Sequence, residues 1–189
     1  MGAPSDAGSR SAEKAGRVRR IVLIGFMAAG KSTIAPRLAH ALDWRVFDVD
    51  LELEKQTGMS IASIFRDLGE PHFRRLEAEL TAALCSGDCV VVAAGGGWIT
   101  SPESISVIKD AETRVIWLRV SPEEAVRRAG QDAVGRPLLS RDNALEIARR
   151  LLAEREPLYA AADLTIDADG RDADAVLDDI LTWLKASTW

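Results

Sequence analysis

Short apolar runs alternate along this chain with longer stretches in which apolar residues return every three or four positions. Ile21-Val22-Leu23-Ile24, Trp44-Arg45-Val46-Phe47, Cys89-Val90-Val91-Val92-Ala93-Ala94, Arg114-Val115-Ile116-Trp117-Leu118-Arg119-Val120 and Asp163-Leu164-Thr165-Ile166-Asp167 have the length and content of strands. The unbroken runs among them suit strands buried on both faces, as in a parallel sheet. Residues 34–42, 51–57, 61–68, 73–84, 143–154 and 172–185 carry the helical period instead. Local chemistry sets several ends. Gly58 reads as a C-terminal cap, and Gly69-Glu70-Pro71 as a break. Ser101-Pro102 reads as the start of a short helix with proline at its first position, and Ser121-Pro122-Glu123-Glu124 as a serine cap with a glutamate three residues on. The alternation predicts an α/β three-layer sandwich, a parallel sheet of about five strands with helices on both faces and right-handed crossovers. Ligands of such sheets gather at the carboxyl ends of the strands.

Composition narrows the class without changing this picture. With 189 residues, 47% apolar and 28% charged, the chain reads as one soluble globular domain over residues 18–187. Residues 1–17 are small and polar and read as a disordered tail. A net charge of −5 argues against a general nucleic-acid binder. No apolar run reaches membrane-spanning length and no apolar signal-peptide core is present, so the expected setting is the cytoplasm, with no membrane partner and a monomeric chain. Cys85 and Cys89 stand four apart, but no histidine or further cysteine completes a zinc pattern, which leaves reduced thiols as the reading. His40 and His72 receive no role.

The chemistry concentrates in three places. After the first strand comes Gly25-Phe26-Met27-Ala28-Ala29-Gly30-Lys31-Ser32-Thr33, the G-x-x-x-x-G-K-S spacing of a phosphate-binding P-loop, and a helix follows it. There the backbone N–H groups of Ala28, Ala29, Gly30, Lys31, Ser32 and Thr33 converge on phosphate oxygens. Lys31 adds a charge for the β- and γ-phosphates, and the Ser32 hydroxyl suits Mg²⁺. Asp48-Val49-Asp50 ends the second strand, where one carboxylate could serve the Mg²⁺ shell and the other an acceptor hydroxyl. Gly95-Gly96-Gly97 ends the third. All three therefore fall on one edge of the sheet. Residues 130–140 break the periodic pattern between two helices and read as a mobile loop.

From these motifs the sequence resembles shikimate kinase, a P-loop NTPase of the nucleoside monophosphate kinase type, over about residues 20–185. Beyond the P-loop and the aspartate pair, the resemblance rests on Thr57-Gly58-Met59-Ser60-Ile61, Gly69-Glu70 with Phe73-Arg74, Gly95-Gly96-Gly97, Arg136-Pro137-Leu138-Leu139 and Arg155-Glu156-Pro157-Leu158-Tyr159. It implies transfer of phosphate from ATP to the 3-hydroxyl of shikimate, a carboxylated cyclic triol, on the route to aromatic amino acids. By the same resemblance Asp50 binds the acceptor hydroxyls and acts as base, and Asp48 supports Mg²⁺ through water. Arg74, Arg155 and Gly96 hold the substrate, the substrate-binding region is about residues 48–78, Arg136 is a catalytic lid arginine on residues 130–140, and Arg171 flanks the adenine. A planar guanidinium fork fits a carboxylate, which makes the arginine pair chemically apt.

Two positions depart from the family pattern. Ala28 stands where glycine is common and tolerates positive φ poorly. Trp98 follows the glycine triplet where the family carries a smaller residue, and its ring would either stack outward or narrow the pocket. Two other readings stay open on the residues: a P-loop kinase for another small acceptor such as gluconate or a nucleoside monophosphate, and a catalytically silent nucleotide-binding module. Lys31, Ser32, Asp48, Asp50 and Arg136 together argue against the silent module, and the Arg74–Arg155 pair argues for a carboxylated acceptor.

Overall fold

The computed structural model describes residues 17–131 and 143–187. Five parallel strands form one sheet in the order β2-β3-β1-β4-β5. They are β1 (Arg20–Ile24), β2 (Arg45–Asp48), β3 (Val90–Ala93), β4 (Thr113–Arg119) and β5 (Leu164–Asp167). The three inner strands are the apolar runs. Val90–Ala93 is buried throughout, and so is β4 up to Arg119. The outer strands carry exposed residues, Arg45 and Val46 in β2 and Thr165 and Asp167 in β5. Burial thus follows position in the sheet, since a strand with two neighbours and helices on both faces meets no water.

The described helices are α1 (Lys31–Leu42), α2 (Val49–Thr57), α3 (Ile61–Leu68), α4 (Glu70–Leu84), α5 (Ser104–Lys109), α6 (Pro122–Gln131), α7 (Ala144–Tyr159) and α8 (Ala173–Ala186), with a short 3₁₀ turn at Trp98–Thr100. The core runs from Ile21, Leu23, Ile116 and Leu118 of the sheet to Leu38, Leu53 and Ile180 of the helices, all essentially inaccessible. Each such side chain contributes roughly 1.5–3 kcal/mol of burial free energy.

Several ends differ from the expectation. Gly69-Glu70-Pro71 does not separate two helices by a gap: Gly69 alone turns the chain, and Pro71 sits in the first turn of α4, where its missing N–H costs nothing. Ser101-Pro102-Glu103 is a turn, and the short helix begins two residues later at Ser104. The serine cap is real, since Ser121 Oγ accepts the Glu124 N–H at 3.1 Å. The reciprocal half of the box is absent, because the Ser121 N–H goes to Asp169 and the Glu124 carboxylate is taken by Arg127 and Arg128. Helix α7 runs on through Pro157 to Tyr159, well past Glu154. The tail expected over residues 1–17 lies almost wholly outside the described residues. So do most of the expected lid and Arg136.

Candidate active site

The P-loop leaves central strand β1 and turns into α1 at Gly30, whose φ of 97° only glycine adopts easily. The N-terminus of α1 therefore opens onto the carboxyl edge of the sheet, with the N–H groups of Thr33 and Ile34 reaching back to the Gly30 carbonyl at 3.0 and 2.9 Å. Lys31 Nζ folds back over its own loop, donating to the carbonyls of Gly25 at 2.8 Å and Phe26 at 3.0 Å. Ser32 and Thr33 are exposed at the start of the helix. Ala28 sits at φ 62°, in the left-handed region that its sequence position raised as a concern, and is nearly buried there.

The aspartates do not alternate on a strand as expected. Asp48 ends β2 and caps α2, its Oδ1 accepting the N–H groups of Asp50 at 3.1 Å and Leu51 at 3.4 Å, while Asp50 lies in the first helical turn. The cap puts Asp50 on the helix rather than on the strand, within reach of the Asp48 charge. Asp50 is reached by water through the cleft yet walled by protein, and this desolvation pushes its pKa above the ordinary carboxylate value. The like charge of Asp48 adds to the rise, and Lys31 and Arg74 oppose it.

Opposite Asp50 stands an arginine pair on two helices. Arg74 of α4 donates to Glu77 Oε2 at 2.8 Å and Glu70 Oε1 at 3.0 Å, and its guanidinium lies near the Phe73 and Phe65 rings. Burial alone would lower the Arg74 pKa, but Glu77 and Glu70 hold it above the usual arginine value. Arg155, in the last turn of α7, is 8% exposed and donates to the Gly96 carbonyl at 3.1 Å. This is no solvated helix-end cation. Between the two lies Glu77, 1% exposed, with Oε1 lacking a hydrogen-bond partner among the described residues. Burial raises the Glu77 pKa and Asp50 adds to the rise, against the pull of Arg74 and Arg155.

The glycine triplet fits this crowding. A Cβ on Gly97 would collide with the Arg74 guanidinium, and one on Gly96 would come within 3.3 Å of the Met27 nitrogen in the P-loop. Bare backbone at these positions lets the two loops and the arginine close together. Trp98 neither stacks outward nor narrows the pocket: it is 1% exposed and turned into the core.

The far wall holds Arg171, ion-paired to Asp179 at 2.7 Å, and Arg128, which the sequence reading did not single out. Arg128 of α6 is held by Glu124 at 2.6 Å and bridges the Ala168 carbonyl after β5 and, at 3.4 Å, the Ala28 carbonyl of the P-loop. Glu77 was missed as well. Together these walls enclose a cleft of about 710 Å³ reaching from Phe65, Arg74 and Arg155 at one end, past the P-loop, to Arg128, Arg171 and Val176 at the other. Arg136 apart, every residue expected at the site lines this one cleft. Among the described residues no group of three or more His, Cys, Asp or Glu side chains is arranged to hold a metal ion. The Ser32 hydroxyl with Asp48 behind it instead suits an ion that takes most of its ligands from phosphate and water, the habit of Mg²⁺.

A parallel sheet of this order, with a P-loop after its central strand and a recess holding Arg74 and Arg155 beside it, has the fold of P-loop kinases of the nucleoside monophosphate kinase type. The family model for shikimate kinase matches residues 27–185, and the chain belongs to the shikimate kinase family. Shikimate kinase of Moorella thermoacetica is 42% identical over 166 residues, covering 88% of this chain and 94% of the relative. The structure of shikimate kinase from Acinetobacter baumannii in complex with shikimate superposes with a TM-score of 0.85 at 33% identity, over 95% of this chain and 98% of that one. A gluconokinase from Sinorhizobium meliloti shares the fold alone, at 14% identity and a TM-score of 0.59 over 90% of this chain and 94% of that one.

Proposed function

We propose that the cleft transfers the γ-phosphoryl group of ATP to the 3-hydroxyl of shikimate. The observation that carries this reading is the pair Arg74 and Arg155, brought from two helices to one glycine turn across from Asp50. Two guanidinium forks suit the carboxylate of the acceptor and leave its ring hydroxyls toward Asp50. Asp50 takes the proton as the hydroxyl oxygen forms its bond to the γ-phosphorus and the bond to ADP breaks. Its raised pKa makes it a better base than an ordinary carboxylate. Lys31 leaves the Gly25 and Phe26 carbonyls for the phosphates, so the charge is stored at the loop until nucleotide arrives. The N–H groups of residues 28–33 receive the phosphates, and Arg128 with Arg171 forms the wall for the base. Ser32, with Asp48 through water, would hold Mg²⁺, which would neutralise charge on the β- and γ-phosphates. Arg136, outside the described residues, is assigned the lid role on its Arg-Pro-Leu-Leu context alone.

We assign the chain to the cytoplasm as a monomer on the same footing. Among the described residues no helix is long and apolar enough to cross a membrane. The test is release of ADP with shikimate, gluconate and AMP offered separately. Turnover with shikimate alone is the expected result. Turnover with gluconate or AMP in its place would overturn the acceptor, and release independent of any acceptor would overturn the kinase reading.

A further inference from the structure

The glycine triplet has no side chains of its own to hold it, and glycine is the residue that least restrains its backbone. Its shape must be imposed from outside, and the hydrogen bonds show how. The Gly95 carbonyl accepts the Trp98 N–H at 3.2 Å, and the Gly97 carbonyl accepts the N–H and Oγ1–H of Thr100 at 3.0 and 2.8 Å. Both are local bonds of the turn itself. Among the described residues the Gly96 carbonyl, at the centre, is held by distant side chains: Tyr159 Oη donates at 2.6 Å and Arg155 at 3.1 Å. Tyr159 is 1% exposed, and its ring is stacked on Trp117 of β4 at 5.5 Å and 25°. The hydroxyl is thereby delivered to the turn from the core.

Arg155 holds two tasks under the function proposed above, on which this argument rests. It sits on the Gly96 carbonyl here, and it must present its fork to the acceptor carboxylate. A carbonyl oxygen has two lone pairs and takes both donors at once. When the carboxylate draws Arg155 away, Tyr159 is the donor that remains. We propose that Tyr159 is a positioning residue for acceptor binding: its hydroxyl holds the Gly96 carbonyl, and with it the plane of the following peptide, while Arg155 transfers to the substrate. Because the peptide unit is planar and trans, fixing that carbonyl also fixes the direction of the Gly97 N–H.

The two-donor arrangement makes the consequence specific. In the free protein Tyr159→Phe leaves the Gly96 carbonyl with Arg155 as its donor, so folding stability changes little. The loss is felt when the acceptor binds, because the single bond that Arg155 gives the carbonyl, at 3.1 Å, weakens as its fork turns to the carboxylate, and no second donor then remains. The cost of an unsatisfied polar group predicts a KM for shikimate raised about tenfold, with KM for ATP and the denaturation midpoint nearly unchanged. A merely structural tyrosine would lower the midpoint and disturb both substrates together.

A second measurement uses the wild-type protein. Tyr159 is the only tyrosine in the sequence, so tyrosine labelled with ¹³C at Cζ gives a single resonance. Burial pushes this phenol up to about 12, against the lowering effect of Arg155, so the resonance reports the neutral hydroxyl and the place of Arg155 beside it. Saturation with shikimate should shift it, as Arg155 leaves, without ionising it. A Tyr159→Phe variant with unchanged KM for shikimate, or a label that does not respond to shikimate, overturns the proposal. Wild-type turnover of shikimate serves as the control. If the wild type turns over and the variant matches it, the positioning role fails while the kinase reading stands.

Discussion

Asp50 stands in the cleft at a cost to its charged form. Desolvation and the neighbouring Asp48 raise its pKa in the folded state, so between the ordinary value of 3.8 and that raised value the folded chain binds more protons than the unfolded one. Stability therefore falls as pH rises through that window. Asp50→Asn removes the charge, and its denaturation midpoint should exceed that of the wild type at pH 8, with the difference shrinking toward pH 4. Under the proposed function the same substitution removes the base and should lower kcat by about 10²–10⁴-fold. Unchanged kcat would take Asp50 out of the base role, whatever happened to stability. Ala28 is the opposite case, a strain with no charge in it. At φ 62° an alanine pays a left-handed penalty that glycine escapes, so Ala28→Gly should raise unfolding free energy by about 1 kcal/mol in denaturant titration. Most of the site was legible at this scale, because P-loop, aspartates and glycines are short local motifs. Glu77 and Arg128 were not. Each reads in sequence as one half of an ordinary helix ion pair, with Arg74 three residues back or Glu124 four residues back, and only the fold shows that these pairs face the cleft.

At the scale of elements, the end of the cleft that holds Arg74 and Arg155 is made by α4 and α7, which lie far apart in the chain. Gly69 turns the chain so that α4 starts at Glu70, which puts Glu70, Arg74 and Glu77 on one helical face at i, i+4 and i+3 steps. Running α7 on through Pro157 does the same for Arg155 and Tyr159, four residues apart and both on Gly96. The sequence pattern ended α7 at Glu154, since proline usually closes a helix, and so left the arginine and tyrosine without a shared face. Here Pro157 is exposed, and water can take up the carbonyl that loses its partner. Arg74→Ala or Arg155→Ala should each weaken shikimate binding by about 1.5–3 kcal/mol, the scale of a hydrogen bond to a charged group. Direct titration should find ATP affinity nearly unchanged in both. Equal loss for ATP would place the arginines in the nucleotide half of the cleft.

Across the whole molecule, the alternation of strands and helices was enough to predict a parallel sheet, but not its order. Several orders bury the same apolar runs, and only the exposure of Arg45, Val46, Thr165 and Asp167 marks β2 and β5 as edges. The order matters because it sets β1 in the middle, with β3 and the glycine turn on one side and β4 on the other. Under the proposed function nucleotide and acceptor then bind across loops that belong to most of the sheet, rather than to one peripheral unit. Ligands that bind only the folded chain stabilise it by RT ln(1 + [L]/Kd), about 2.7 kcal/mol at a hundred times Kd. ATP and shikimate should each raise the thermal midpoint of the wild type on these terms. Lys31 rests on the Gly25 and Phe26 carbonyls in the free protein and, under the proposed function, moves to the phosphates, so Lys31→Ala should lose the ATP response and all turnover. Its shikimate response should persist, since Arg74, Arg155 and Asp50 are untouched. Calorimetric melts with each ligand alone separate the two halves of the cleft. A Lys31→Ala chain still stabilised by ATP would mean that phosphate binding rests on the loop N–H groups without the lysine, and one that no longer answers to shikimate would mean that the halves are coupled.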